Sequence, residues 1–89
     1  MIHEVLVSPD PFFRAFTLEI NCDQNLHAIV RLINADDRIV KLFSWYLLKG
    51  ANITSIDDIN FTVSGKCRLD VIHQDGTLLH SIDVTQSER

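Results

Sequence analysis

Three side chains able to do chemistry converge if the second half of the chain is read as two hairpins. The run Gln74-Asp75-Gly76-Thr77 is a two-residue Asp-Gly turn, the strongest short-range hairpin signal in the sequence. It predicts Arg68 opposite Asp83, Asp70 opposite Ser81, Ile72 opposite Leu79 and His73 opposite Leu78. Carried back across Ser64-Gly65-Lys66, the same register sets Val63 against Cys67, Phe61 against Leu69, Ile59 against Val71 and Asp57 against His73. His80 then lies diagonally beside His73. A carboxylate orienting an imidazole is the arrangement of general bases and of metal ligands. The plainer use of Asp57, His73 and His80 is as the hydrogen-bonded, partly wet end of a core. A third metal ligand would have to come from His3, His27 or Cys22, none of which the sequence brings there, so no metal and no cofactor are expected. Cys67 falls at the far end of this sheet and Ser81 on its other face, which makes both poor nucleophiles, and no Gly-rich phosphate loop is present. Catalysis is therefore the least favoured role.

The elements that would position these groups follow from periodicity. Ile2–Val7 reads as a short strand, and Pro9 and Pro11 break the chain after it. From Phe12 the pattern alternates, with Phe16, Leu18, Ile20 and Cys22 on one face and Thr17, Glu19 and Asn21 on the other. A three-residue loop, Asp23-Gln24-Asn25, predicts a hairpin into Leu26–Ile33. It sets Cys22 against Leu26, Ile20 against Ala28, Leu18 against Val30 and Phe16 against Leu32. A slip by one residue would put Arg31 opposite Phe16. Next, Asp36 or Asp37 can cap a helix whose face is Ile39, Val40, Phe43, Tyr46 and Leu47, with Lys49 and Gly50 as its stop. The β-branched and aromatic content of residues 39–48 supports a rival strand, but the caps and length favour a helix over residues 37–49. Ile53–Val63 and Cys67–His73 are strands, followed by the last strand to Val84 and a frayed tail over residues 85–89. In the final hairpin Lys66, Arg68, Asp70, Gln74, Thr77, Ser81 and Asp83 share a wet face, with Arg68–Asp83 as a cross-strand ion pair.

These elements predict an α+β fold, β-β-β-α-β-β-β, in which antiparallel hairpins pack on one main helix. Eighty-nine residues make a single domain, 1–89, and the 46% apolar content is ample for one core. A net charge of −4 is the wrong sign for a phosphate-binding surface, so nucleic acid is not an expected partner. No apolar stretch approaches the roughly 20 residues that span a bilayer, and the first residues do not read as a secretory leader. Two cysteines, Cys22 and Cys67, without CxxC spacing, read as buried thiols in a reducing, cytoplasmic setting. Trp45 and Leu48 fall on the flanks of the predicted helix, where a helix buried on one side should be polar. That surplus predicts a partner, most simply a second copy forming a dimer.

One family resemblance covers about residues 26–73. Leu26-His27-Ala28-Ile29-Val30-Arg31-Leu32-Ile33, then Asn34-Ala35-Asp36-Asp37-Arg38, then the predicted helix to Lys49-Gly50-Ala51-Asn52-Ile53-Thr54-Ser55-Ile56, resembles the front half of an ACT domain. The usual Asp-x-Pro-Gly loop of that family is replaced here by Asp36-Asp37-Arg38, and the first 25 residues have no counterpart. The resemblance implies a non-catalytic regulatory module that senses a small ligand and acts through self-association. It implies ligand contacts at Asn34, Asp36, Asp37 and Arg38 and at Gly50 and Asn52. The alternative is a protein-interaction or assembly module with no small ligand, using Trp45 and Leu48. An enzyme or metal protein built on Asp57, His73 and His80 stands behind both.

Overall fold

Alternation with a period of two runs through most of the chain, and nearly every such run becomes a strand. The computed structural model describes residues 1–60 and 65–87. Its strands are β1 (Ile2–Ser8), β2 (Phe16–Cys22), β3 (Leu26–Asn34), β4 (Ile39–Leu47), β5 (Gly50–Ile56), β6 (Lys66–His73) and β7 (Leu78–Thr85). They form two antiparallel sheets, β1-β2-β5 and β4-β3-β6-β7. The chain changes sheet after β2, after β4 and after β5, the Greek-key order of immunoglobulin-like sandwiches. Phe16, Leu18 and Ile20 of one sheet and Leu26, Ala28, Val30, Leu32, Leu69 and Val71 of the other share a single buried core.

The fold is all-β, and no helix occurs among the described residues, so the expected α+β architecture and its helix over 37–49 are overturned. Residues 39–47 are strand β4, with Phe43, Trp45 and Leu47 turned to the core side and Leu42, Ser44 and Tyr46 turned out. A run that is apolar on both faces fits the helical period as well as the strand period, and here β-branched and aromatic residues favour the strand. The residues read as helix caps are turn residues. Asn34 Oδ1 accepts the N–H groups of Asp36 (2.9 Å) and Arg38 (3.0 Å), and Asp37 sits at φ 61° in the β3–β4 turn. Gly50, read as the helix stop, has φ 103° where the chain passes into β5.

The predicted hairpin between β2 and β3 is also corrected. β2 pairs with β1 and β5, and β3 pairs with β4 and β6, so Cys22–Leu26, Ile20–Ala28, Leu18–Val30 and Phe16–Leu32 are not ladder partners. The two apolar faces do meet, but across the core between sheets. The connecting loop is tied to its neighbours. Asp23 accepts the N-terminal ammonium at 3.0 Å, and Asn25 Oδ1 accepts the Lys49 N–H at 2.8 Å. The ammonium beside Asp23 holds its carboxyl below the ordinary carboxylate value.

The final hairpin keeps Arg68 opposite Asp83 and Asp70 opposite Ser81, as expected from the turn. Nearer the turn, Ile72 faces Leu78 in place of Leu79, with an irregularity between Val71 and Ile72. The loop is one residue longer than a two-residue turn. His73 N donates to Thr77 O and Gly76 N to His73 O, with Gly76 at φ 96°. Residues 85–87 are not frayed. Phe12 bridges to Gln86, whose Nε2 donates to the carbonyls of Phe13 (2.8 Å) and Asn60 (3.1 Å). Gly65 (φ 72°) passes so close that an added Cβ would lie 2.8 Å from the Gln86 carbonyl oxygen.

Candidate functional site

The cluster Asp57–His73–His80 is not assembled. β5, which leads into Asp57, belongs to the three-stranded sheet, whereas β6 belongs to the four-stranded one. Ile59 lies in no strand and Val71 pairs with Val30 and His80, so the predicted Ile59–Val71 pairing fails too, and the pairings of Phe61 and Val63 lie outside the described residues. Asp57 accepts a hydrogen bond from Ser55 Oγ at 3.0 Å. The Nδ1 of His73 accepts the Asp75 N–H at 3.1 Å within the β6–β7 turn. His80 stands opposite Val71 on β7. Among the described residues no group of three or more His, Cys, Asp or Glu could hold a metal ion.

The residues implied as ligand contacts fall into two groups that β3 and β4 keep apart. Asn34, Asp36, Asp37 and Arg38 form the β3–β4 turn, while Gly50 and Asn52 begin β5 beside the other ends of those strands. The nine residues of β3 span roughly 26 Å at about 3.3 Å each. In each group the asparagine amide is spent on nearby backbone, Asn34 Oδ1 within the β3–β4 turn and Asn52 around the β4–β5 crossing and β2. Asn52 Oδ1 accepts the Leu48 N–H (2.9 Å), and its Nδ2 donates to the carbonyls of Leu48 (2.8 Å), Gly50 (3.2 Å) and Ile20 (3.2 Å). The passage that resembles an ACT domain is strand, turn, strand in this structure, not strand, loop, helix.

Trp45 and Leu48 are where the structure has most to offer. Five of the nine strongly exposed large apolar side chains among the described residues are Ile39, Leu42, Tyr46, Leu48 and Ile53. All five lie on β4, on β5 or in the crossing between them. Each is more than half exposed. β4 and β5 are edge strands of their respective sheets, joined directly by Leu48 and Lys49. The half-buried rings of Phe43 and Trp45 lie 6.2 Å apart at the core-facing side of β4. Tyr46 meets His27 edge-on at 4.6 Å on the outer side. A shallow groove of about 290 Å³ runs past Tyr46, lined by His27, Ile29, Ser44 and Gln74. β4, β5 and their crossing are largely apolar and aromatic, with Lys41 and Lys49 as their charged residues and no carboxylate, close to the composition of an interface centre.

One group was not anticipated as special. Asp70, placed by alternation on the wet face, has a side chain only 2% exposed. Its carboxylate accepts from Arg31 Nη2 (2.8 Å), Arg68 Nε (3.1 Å) and Ser81 Oγ (2.7 Å). Arg68 therefore forms its ion pair with Asp70 and not with the predicted Asp83. Burial pushes the Asp70 carboxyl up, but the hydrogen bonds from Ser81, Arg31 and Arg68 outweigh it and hold it below the ordinary value. The signal was present in the sequence, because Arg68 and Asp70 share a strand face at i, i+2 and Ser81 is opposite. The network ties β3, β6 and β7 together immediately beside β4, since Leu42 pairs with Arg31. It makes a rigid platform for the apolar edge.

Compared with family models, curated proteins and solved structures, the chain matches none of them. The topology describes an architecture, and architecture alone assigns no activity.

Proposed function

We propose that this domain is a non-catalytic assembly module that associates with itself through the side bounded by β4 and β5. The observation that carries this reading is that five of the nine exposed large apolar side chains among the described residues fall on β4, β5 and the crossing between them, a stretch whose charged residues are Lys41 and Lys49 and which holds no carboxylate. It is favoured over ligand sensing because the residues implied for a ligand lie at opposite ends of β3, and the Asn34 and Asn52 amides are already bonded to nearby backbone. It is favoured over catalysis because Asp57 follows β5 of the three-stranded sheet, whereas His73 and His80 belong to the β6–β7 hairpin of the other.

Light scattering of the full chain from low to high micromolar concentration tests it. The wild-type protein is expected to move from monomer to dimer. The double variant Leu42→Lys/Ile53→Lys is expected to stay monomeric with its thermal midpoint nearly unchanged, since both side chains are exposed. A wild-type chain that remains monomeric throughout overturns the reading.

A further inference from the structure

The sandwich has four sheet edges, and they are not equally defended. An open edge presents unpaired N–H and C=O groups, and proteins blunt it with charge, proline, bulges or inward-pointing charged side chains. β1 carries His3 and Glu4 and a register irregularity between Ile2 and Glu4. β7 carries His80 and Asp83 and faces the irregularity between Val71 and Ile72. β5 is uncharged but its core-facing row includes Asn52 and Thr54. β4 is defended at one end only. The register shifts between Leu32 and Ile33 where it meets Ile39, and Lys41, paired with Leu32, lies on the core-facing row. From Leu42 to Leu47 it has no charge, no proline and no irregularity.

Resting on the assembly reading above, we propose that β4 of one copy pairs antiparallel with β4 of a second copy about a two-fold axis at Ser44. The two four-stranded sheets then merge into one of eight. Three features of β4 point to a second copy as the occupant. An antiparallel strand paired with itself is isologous, so the contact closes at two chains. Centred on Ser44, the register uses all of Lys41–Leu47 and stops short of the irregular end. On the outer face it sets Leu42 against Tyr46 of the second copy, and on the core side Phe43 against Trp45, both good cross-strand pairs. A centre at Phe43 instead sets Leu42 against Ser44 and pushes Tyr46 onto Val40 in the irregular stretch. Charge agrees. Two chains of net charge −4 repel over most of their surfaces, but β4 contains no carboxylate and brings one Lys41 from each side, placed opposite Leu47 and not opposite each other.

Directly opposed residues on antiparallel strands have Cα atoms about 4.5–5.5 Å apart, within the span of a disulfide. Ser44 is exposed and both native thiols are buried, so Ser44→Cys in the full chain reports the axis. Under oxidised glutathione, Ser44→Cys is expected to give a covalent dimer on a non-reducing gel, while Ile53→Cys stays single. If the wild-type chain dimerises by light scattering but Ile53→Cys cross-links and Ser44→Cys does not, the β4 pairing is overturned and association by the same side stands. If the wild-type chain is monomeric and neither variant cross-links, both proposals fail.

Discussion

Asp70→Ala is expected to lower the unfolding free energy by about 2–4 kcal/mol, a large share of what a domain this small can have. Breaking a buried ion pair by removing one partner costs about 3–5 kcal/mol when the remaining charge stays buried. Here the two guanidinium groups left behind are 33% and 46% exposed, so they can turn partly toward water, which lowers the cost. What remains is the loss of five acceptor contacts and a void beneath two like charges. Asp70→Asn keeps the volume and one acceptor oxygen and is expected to fall between alanine and wild type. Urea titrations below the association range read the difference directly. A shift for Asp70→Ala smaller than about 0.5 kcal/mol would make the carboxylate an ordinary surface group and remove the platform beneath β4.

The same carboxylate predicts the acid limb of the stability curve. Its folded-state pKa lies below its ordinary value of 3.8, so the unfolded chain binds the proton more readily in that range. Its contribution is complete above the ordinary value and is lost as pH falls through the lower, folded-state value. Wild-type stability is therefore expected to drop on acidification below about pH 4, with a shallower drop for Asp70→Asn. The exposed Asp23 and Asp75, also held below the ordinary value, keep some slope in both proteins. Parallel curves for the two proteins would show that Asp70 does not carry this limb.

Most strand positions other than β4 were legible in the sequence, and strand neighbours mostly were not. Alternation places Phe16, Leu18, Ile20 and Cys22 on one inward face and Leu26, Ala28, Val30 and Leu32 on another, and the core contains all of them. Alternation does not say whether two such faces lie side by side in a ladder or look at each other across a sandwich. The short Asp23-Gln24-Asn25 loop suits both. Only where a turn has its own chemistry, at Asp75-Gly76, did the partners follow, and there Gly76 lengthened the loop by one residue. The helix was misread because Asn, Asp and Gly serve helix ends and tight turns alike. Asn34, Asp37 and Gly50 are used here for turns. An edge strand that is apolar on both faces, as β4 is, then completes the imitation of a buried helix. Trp45 and Leu48 were singled out for being too apolar for that helix. Their surplus belongs instead to an edge strand and its crossing. Asp70 was missed because alternation assigns a face, and a face can be polar without being wet.

The adjacent phenylalanines 12 and 13 give the sharpest test of where the segment before β2 lies. Phe12 is fully buried, its ring 4.9 Å from that of Phe16. Its N–H donates to Thr85 O at 2.9 Å, and its carbonyl accepts the Ser87 N–H. Phe13 is 45% exposed, and its carbonyl, not its ring, receives Gln86 Nε2. Phe12→Ala is expected to cost about 3–5 kcal/mol, because a ring leaves a packed core between the sheets and the backbone ties to β7 hinder collapse into the space. Phe13→Ala keeps every one of those backbone hydrogen bonds and is expected to cost about 1 kcal/mol or less. Both variants delete the same ring from the same dipeptide, so changes in the unfolded chain nearly cancel between them. The difference isolates burial. Equal losses in the two urea titrations would mean that Phe12 does not plug the core and that the closure of residues 12–13 over residues 85–87 is not what seals this end of the sandwich.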